Sequence, residues 1–374
     1  MAGGAGAVGG RRAGRGPIKV VAFGGGHGLA VSLRALRLAD AELDLDITAV
    51  VTVGDNGGSS GRLRVERDAQ LPPGDLRMAL AALADDDPIH QRTVALMQHR
   101  FALVDKPERQ SDPDAPRRRA TDPPPAGGDV LKPGRALAAT GGGLADPLAG
   151  HAVGNLLLLG LMELLGDPVE ALEHAGRMVG AQGRVLPMAC HAVGIEADVR
   201  GGDPARPGEI VTVEGQHAVA VTSGHVEAVR ITPASPPASP PALAAIAAAD
   251  WLIFGPGSWY TSVLPHLLVP QLADAIVASP ARRLVTLNLA ADNETAGLSV
   301  ADHLAALHWY LPQLQVDTVL ADAKWVGEPD PVRQAARALG AELVLASLAV
   351  ADGGARHDPE SLGVALVPVL GAAR

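Results

Sequence analysis

Short apolar runs that end in glycine-rich or polar turns recur along this chain and predict buried β-strands. Residues 18–23 run into Gly24, Gly25 and Gly26, and leucines at near-helical spacing follow them. Residues 47–53 repeat this pattern and end in a second glycine-rich stretch. Two such strand–turn–helix units predict a parallel sheet that binds its ligand at the carboxyl ends of the strands.

The rest of the chain adds strands, helices and a small second sheet. Further strands of the parallel sheet are predicted at 251–254, 284–287 and 316–320. A helical layer is predicted from Ala, Leu and Met at helical spacing in 74–101 and 150–180. Short alternating runs at about 193–231, one of them at 219–222, predict a small antiparallel β meander. We therefore predict an α/β protein with a Rossmann-like, doubly wound, mainly parallel sheet.

Two segments lack a core-forming pattern. Residues 1–17 are mainly Gly, Ala and Arg, and residues 105–147 combine Pro, Gly, Arg and Asp with almost no apolar periodicity. Such composition cannot offset the entropy lost on ordering. We therefore predict a disordered tail, and a single domain over 18–374 that carries a disordered surface insertion.

Composition and charge narrow the class of protein. With 374 residues and 47% hydrophobic content, the chain can bury a large core. The formal net charge of −10 argues against a nucleic-acid partner. The single cysteine, Cys190, excludes an intrachain disulfide and favours a reducing, cytoplasmic location. No apolar run approaches the roughly 20 residues of a membrane span, so no membrane insertion is expected.

The glycine turn after the first predicted strand is a candidate anion site. Its glycines are Gly24, Gly25, Gly26 and Gly28. Backbone N–H groups in such a turn can converge on a phosphate, and the following helix adds the positive end of its dipole. The spacing is not the full G-x-G-x-x-G fingerprint, so an ordinary turn explains this motif equally well when it is taken alone.

Two further stretches carry denser polar chemistry. The loop after the second predicted strand contains Asp55, Asn56, Gly57, Gly58, Ser59, Ser60 and Arg62. Carboxylate, amide, hydroxyl and guanidinium groups at a strand end can reach the same crevice as the glycine turn. A third turn contains Gly74, Asp75 and Arg77. There Asp75 is interpreted either as a helix N-cap or as a ligand contact.

The candidate site extends to later parts of the chain. His151 and Asn155 are four residues apart, on one face of a predicted helix, although a structural histidine is also consistent with this spacing. The last contributors are Gly255, Gly257, Ser258, Tyr260 and Asn288. Free N–H groups and a hydroxyl at this turn can hold an anion, and Tyr260 can cover a base or sugar. The sequence has no His/Cys metal cluster, so any metal would be a hard cation on oxygens such as those of Asp55.

In their order along the chain, these motifs resemble one known family. The matching blocks are 24–29 (GGGHGL), 55–64 (DNGGSSGRLR), 72–77 (PPGDLR), 98–101 (QHRF), 150–157 (GHAVGNLL) and 255–263 (GPGSWYTSV). They resemble the bacterial gluconeogenesis-factor (YvcK-like) family, which is similar to the 2-phospho-lactate transferase CofD. Block 255–263 and the RHDP ending at 356–359 look closest to the actinobacterial branch of that family.

This resemblance implies a protein that binds UDP-sugars, notably UDP-N-acetylglucosamine, needs no cofactor, and regulates cell shape and envelope synthesis during gluconeogenic growth. The glycine turns would cradle the diphosphate, and Arg62 and Arg77 would neutralise it. Asp55 and Asn56 would bond ribose or sugar hydroxyls, and Tyr260 would pack on the base or sugar. A homo-oligomer and envelope-synthesis partner proteins are left open, and no catalytic residue is assigned.

The chain departs from the family pattern in ways that bear on mechanism. The family usually carries two acidic residues where this chain has Asp55 and Asn56, which weakens a metal-dependent reaction. His27 replaces a residue that is commonly Thr or Met and offers a pH-sensitive contact near the phosphates. Leu298 stands where an aromatic residue is normal, and so takes away a stacking surface for uracil.

Two alternatives stay open at this stage. One is a CofD-like transferase of phospholactyl or phosphoenolpyruvyl groups, in which Asp55 would hold Mg²⁺ and the same loops would bind a nucleoside-diphosphate donor. The other is a morphogenesis scaffold whose insertion recruits a partner or carries a regulatory phosphate on Thr121 or Thr140.

Overall fold

A computed structural model describes residues 16–102, 146–203, 205–206 and 208–372. The predicted disordered tail and insertion lie almost wholly outside the described residues. The strands are β1 (Ile18–Gly24), β2 (Leu45–Val51), β3 (Arg184–Pro187), β4 (Gly194–Arg200), β5 (Ile210–Glu214), β6 (His225–Thr232), β7 (Trp251–Phe254), β8 (Arg282–Thr286), β9 (Thr318–Asp322) and β10 (Glu342–Ala346).

The helices surround these strands. They are α1 (Gly26–Leu43), α2 (Gly58–Arg67), α3 (Pro73–Leu83), α4 (Pro88–Gln98), α5 (Val153–Leu165), α6 (Pro168–Met178), α7 (Gln216–Ala220), α8 (Pro240–Ala248), α9 (Pro265–Leu268), α10 (Pro270–Ala278), α11 (Val300–Tyr310), α12 (Pro329–Ala338) and α13 (Pro359–Gly371). A π-helical turn covers Trp259–Val263, and a 3-10 turn covers Asn293–Thr295. No helix among the described residues is long and apolar enough to cross a membrane.

The main sheet has seven parallel strands in the order β10-β9-β8-β7-β1-β2-β3. Strand β1 pairs with β2 on one side and with β7 on the other, so that Phe23 lies opposite both Val50 and Phe254. The strand order reverses at β1. The carboxyl ends of β1 and β7 therefore form the topological switch point, the place where open α/β sheets bind ligands. This confirms the predicted α/β, doubly wound fold.

The sequence pattern predicts neither of the two edge strands of the sheet. Strand β3 has only four residues, and β10 is half-exposed along its length. Central strands of a parallel sheet are covered on both faces and therefore give continuous apolar runs, which is how β1, β2, β7, β8 and β9 are recognised. An edge strand needs no such run, because one of its sides faces no neighbouring strand.

The small second sheet has the order β5-β4-β6 and is antiparallel. It differs from a meander, since β4 lies in the centre. The strand predicted at 219–222 is wrong, because residues 216–220 form helix α7. Gly215, with a φ of 97°, turns the chain out of β5 and into this helix. Val219 is fully buried, which explains the apolar signal without a strand.

Helix α1 is held firmly on the sheet, and this fixes the position of its first turn. Leu29, Leu33 and Leu36 are buried against the strands, and each such burial stabilises the fold by about 2 kcal/mol. On the other side α13 packs so closely that a Cβ added at Gly363 would lie 3.0 Å from the carbonyl oxygen of Ala35. The first turn of α1 is therefore presented rigidly at the switch point.

Candidate functional site

A cavity of about 750 Å³ opens at the switch point. Its walls come from the first turns of α1, the segments that follow β2, β7 and β8, helix α7, and the segment before α13. The predicted site residues that line it are Gly25, Gly26, His27, Gly28, Asp55, Gly57, Asp75, Gly257, Ser258 and Asn288. Residues from four separate parts of the predicted site thus meet in one cavity.

The glycines at the start of α1 permit a close approach to the turn after β7. A Cβ added at Gly28 would lie 2.2 Å from the carbonyl oxygen of Pro256 and 2.5 Å from Cα of Gly257. Gly26 has a φ of 54°, a left-handed conformation that suits glycine. The N-cap residue Gly25 supplies no side-chain cap. The first-turn amides of α1 have no intrahelical partner, and the one at Gly26 donates to the Asp75 carboxylate, so the remaining amides are suited to an anion.

The facing turn, residues 255–258, is held in place from two sides. Asn288 accepts a hydrogen bond from the N–H of Gly257 at 2.9 Å and donates one to its carbonyl oxygen at 2.8 Å. The hydroxyl of Ser32 donates to the carbonyl oxygen of Gly255 at 3.1 Å. Gly255 itself does not line the cavity, because it turns towards Thr286 with a φ of 71°. Asn288 is thus a positioned part of the cavity wall.

Two carboxylates, Asp55 and Asp75, lie together in the cavity wall. Asp75 accepts hydrogen bonds from Thr52 Oγ1 at 2.9 Å and from the N–H of Gly26. Burial, together with the charge of Asp55, raises the pKa of Asp75 to about 7. Asp55 accepts from the N–H of Gly57 at 2.9 Å. These oxygens could hold a hard divalent cation.

This pair corrects two sequence-based interpretations. Asp75 lies in the first turn of α3 but does not cap it, since the N-cap is Pro72 and the Asp75 carboxylate accepts from Thr52 and Gly26 instead. Because residue 56 is an asparagine, the chain lacks two adjacent acidic residues at 55 and 56, but Asp75 provides the second carboxylate beside Asp55. Gly74 makes room for them: a Cβ there would lie 2.4 Å from Asp55 Oδ2.

Several predicted site residues form a buried polar network behind the cavity. Ser59 Oγ lies 2.9 Å from His151 Nδ1 and accepts from Asn155 Nδ2 at 3.0 Å. Asn155 Oδ1 accepts from Arg77 Nε at 2.8 Å, and Ser60 Oγ accepts from the N–H of Gly74 at 3.0 Å. These contacts anchor the first turn of α2 to α3 and α5. They also explain why the predicted loop at 58–62 is helical: buried hydrogen bonds compensate for poor helix formers.

His151 does not share a helix face with Asn155, contrary to the sequence-based expectation. Helix α5 begins at Val153, and the N–H of Val153 donates to the carbonyl oxygen of His99 at 2.9 Å. This pairing with residues 99–101 keeps His151 outside the helix. Burial lowers the pKa of His151, and the charge of Arg62 lowers it further.

The two arginines expected to neutralise phosphate are engaged elsewhere. Arg62 donates to the carbonyl oxygens of Ala149 at 2.7 Å and Pro147 at 2.9 Å. Arg77 is only 4% exposed, and burial lowers its pKa to about 10. Tyr260 is buried beside Glu294, and burial raises the pKa of its phenol. The predicted residues outside the cavity lining are Gly24, Asn56, Gly58, Ser59, Ser60, Arg62, Gly74, Arg77, His151, Asn155, Gly255 and Tyr260.

The cavity instead takes its cations from residues outside the predicted set. Arg34 lines it from α1, is exposed, and is paired with no residue in the described part of the chain. Arg356 lines it from the segment before α13 and forms an ion pair with Asp352 at 2.8 Å. His27, Val31 and Arg34 follow helical spacing, a signal that could have found Arg34. Gln216 and His217, which also line the cavity, follow no helical spacing in the sequence that could have identified them.

Glu294 is a further residue that the sequence did not single out as part of the site. It is 1% exposed, and its carboxylate accepts from the N–H of Tyr260 at 2.8 Å and from Thr261 Oγ1 at 2.9 Å. Burial raises the pKa of Glu294 to about 7. Because Thr261 and Ser262 line the cavity, Glu294 positions this wall from behind.

The fold and the cavity define a Rossmann-like α/β protein with a glycine-lined cavity at its switch point. A family model described as 2-phospho-L-lactate transferase CofD matches residues 20–346, and the chain belongs to this family. It is 45% identical over 351 residues to a protein from Mycobacterium tuberculosis (strain ATCC 25618 / H37Rv) named "Putative gluconeogenesis factor", covering 93% of this chain and 89% of that one.

Relatives from more distant bacteria share the same description. The "Gluconeogenesis factor" of Bacillus subtilis (strain 168) is 31% identical over 317 residues, which cover 84% of this chain and 81% of that protein. A crystal structure of a member of the UPF0052 family from Bacillus halodurans matches with a TM-score of 0.71 and 30% identity, covering 95% of this chain and all of that one. The resemblance predicted from the motifs, including its actinobacterial branch, is thus confirmed.

Proposed function

We propose that this protein binds a nucleotide sugar of the UDP-N-acetylglucosamine type in the switch-point cavity. The observation that carries the proposal is the meeting of a glycine-rich helix start with two arginines, Arg34 and Arg356, around one cavity. Helix N-termini favour phosphate through their free amides and their dipole. Guanidinium groups add charge-assisted hydrogen bonds to phosphate oxygens. Together they form a diphosphate site of mixed backbone and side-chain character.

The remaining lining suits a polyhydroxylated group. Asp55 and Asp75 offer oxygen acceptors to sugar or ribose hydroxyls, and Ser258 and Ser262 offer hydroxyls that both donate and accept. The cavity volume of about 750 Å³ falls within the range of small-molecule sites, which is roughly 300–1,000 Å³. The roles first given to Arg62 and Arg77 pass in this proposal to Arg34 and Arg356.

The biological role in the proposal is regulation of cell shape and envelope synthesis during gluconeogenic growth. Its support is the name "gluconeogenesis factor" carried by relatives from Mycobacterium and Bacillus. Ligand binding would report the supply of activated sugar, and the bound form would act on envelope-synthesis partners. Chromosomal replacement by Arg34→Ala should then reproduce the growth and shape defect of a deletion strain on gluconeogenic carbon, and normal growth would contradict this role.

One specific observation favours a second candidate, a CofD-like transferase. The carboxylates of Asp55 and Asp75 are neighbours beside the anion site, where together they could hold Mg²⁺ against a nucleoside-diphosphate donor. Such a cation would neutralise charge on the phosphates during group transfer. The family model that matches the chain carries the name of such an enzyme.

A ligand panel separates the two candidates. We expect UDP-N-acetylglucosamine to raise the melting temperature more than UMP or NAD, because only a correctly placed diphosphate and sugar engage both ends of the cavity. At 100 times its Kd a ligand stabilises the fold by about 2.7 kcal/mol. A larger shift with NAD would overturn the ligand class. Formation of a phospholactyl-transfer product from a nucleoside-diphosphate donor would favour the transferase, and binding without product would favour the sensor.

A further inference from the structure

Helix α7 links the small sheet to the cavity. Gln216, His217 and Ala220, all on α7, line the cavity although the helix follows β5 of the small sheet. A helix of five residues is too short to be stable alone, so its position depends on tertiary contacts. Its start is fixed, because the N–H of Gly215 donates to the carbonyl oxygen of Ile195 on β4 at 2.7 Å.

Two hydrogen bonds join α7 to the segments that follow β2 and β7. The side-chain oxygen Oδ1 of Asn56, after β2, accepts from the backbone N–H of His217 at 2.9 Å. Gln216 Nε2 donates to the carbonyl oxygen of Thr261, after β7, at 3.1 Å. The absence of a side chain at Gly215 leaves room for the side-chain amide of Asn56, since a Cβ there would lie 2.1 Å from Asn56 Nδ2. Asn56 itself does not line the cavity.

We infer that Asn56 is a positioning residue, whose side-chain amide holds α7 against the cavity and so keeps Gln216 and His217 beside the ligand. The part of this inference that concerns ligand rests on the proposed function. The side-chain oxygen of Asn56 is the acceptor that the backbone N–H of His217 uses. The sugar-hydroxyl role first assigned to Asn56 is replaced by this contact with the chain itself.

Hydrogen exchange of the ligand-free protein tests the contact without any assumption about ligand. Losing one neutral hydrogen bond should lower the protection of amides in 215–221 by about two- to tenfold in Asn56→Ala. Asn56→Asp keeps an acceptor oxygen and should restore protection to within about twofold. His217→Ala is the matched control, because it removes the side chain but keeps the backbone donor.

Protection of β1 (Ile18–Gly24) should be the same in all variants, which shows that each of them is folded. Unchanged protection of 215–221 in Asn56→Ala would overturn the inference. Equal loss of protection in Asn56→Asp and Asn56→Ala would overturn it as well, since the acceptor oxygen would then be irrelevant.

Binding kinetics with UDP-N-acetylglucosamine extend the test to function. Because Asn56 acts through α7, Asn56→Ala should raise the dissociation rate by about two- to tenfold and leave the association rate within about twofold. A dissociation rate equal to that of wild type, despite lost protection of α7, would overturn the role of α7 in holding ligand. If the wild type binds no UDP-sugar at all, the proposed function fails while the exchange data still decide whether Asn56 holds α7.

Discussion

The substitution Gly28→Ala tests whether the close contact between α1 and the turn after β7 shapes the site. Gly28 lies inside α1, where alanine should by propensity alone be better than glycine by about 1 kcal/mol. The structure predicts the opposite sign. The added Cβ would lie 2.2 Å from the carbonyl oxygen of Pro256 and 2.5 Å from Cα of Gly257, and neither is the end of a flexible side chain.

The size of the effect follows from how far the backbone must move. Ordinary contacts of this kind begin at about 3.4 Å, so the two segments must separate by about 1 Å. Overpacking of this extent typically costs about 1–3 kcal/mol. The turn cannot move freely, because Gly257 is bonded twice to Asn288 and Gly255 accepts from Ser32. We therefore expect Gly28→Ala to lower the free energy of unfolding by about 1–3 kcal/mol and to weaken UDP-sugar binding at least about tenfold.

Gly160→Ala provides the matched control. Gly160 is an exposed glycine within α5, and a Cβ there would meet no atom within 4 Å. This variant should gain about 0.5–1 kcal/mol and keep its affinity. Urea unfolding measures the stabilities, and calorimetric titration measures the affinities. If Gly28→Ala matched Gly160→Ala in both measurements, the close contact would have no role in stability or binding.

Three further variants test the charges of the site. Arg34→Ala should weaken UDP-N-acetylglucosamine binding at least about tenfold, because a charge-assisted phosphate contact is lost. Arg62→Ala should keep its affinity within about twofold, because Arg62 bonds to Ala149 and Pro147. Titration calorimetry measures both affinities, and a larger loss in Arg62→Ala than in Arg34→Ala would restore the sequence-based assignment. Asp75→Asn should flatten the pH dependence of stability. The pKa of Asp75 is raised from 3.8 to about 7 in the folded protein. Its contribution to the free energy of unfolding is therefore fully present below pH 3.8 and is lost as pH rises towards 7. Between pH 5 and 8 the wild type should therefore lose about 2–3 kcal/mol more unfolding free energy than Asp75→Asn in urea titrations, and parallel curves would contradict the raised pKa.

The sequence pattern predicts the central part of this fold because its signals are local. A buried parallel strand needs a continuous apolar run, and the turn that follows it needs glycine, so β1, β2 and β7 and the turns after them can be recognised one at a time. The edge strands β3 and β10 and the helix α7 depend on neighbours distant in sequence. Alternating apolar residues at 219–222 predict a strand, but the chain turns at Gly215 into α7, which is held by hydrogen bonds to Asn56 and Thr261.

The candidate site shows the same division. Backbone contributions follow from glycine turns and are predictable, whereas side chains at a strand end can point into the cavity or behind it. Ser59, Arg77 and Asn155 are polar and near the switch point, yet they hydrogen-bond to one another in a buried network. Arg34 lies two helical turns beyond the glycines and still reaches the cavity. Tertiary packing decides which polar residues face the cavity, and this packing cannot be predicted from any single motif.

The carboxylate pair alters how the sensor and the transferase can be told apart. From the sequence, Asn56 removed one of two adjacent acids and so disfavoured a metal. In the structure Asp75 brings a carboxylate from the first turn of α3 to Asp55. Mg²⁺ in proteins is commonly held by one or two carboxylates together with substrate phosphates. A cation at this pair would therefore arrive with the diphosphate, and it would strengthen binding in a sensor as well as in an enzyme. Sensitivity of affinity to EDTA cannot separate the two functions, so product formation is the measurement that does.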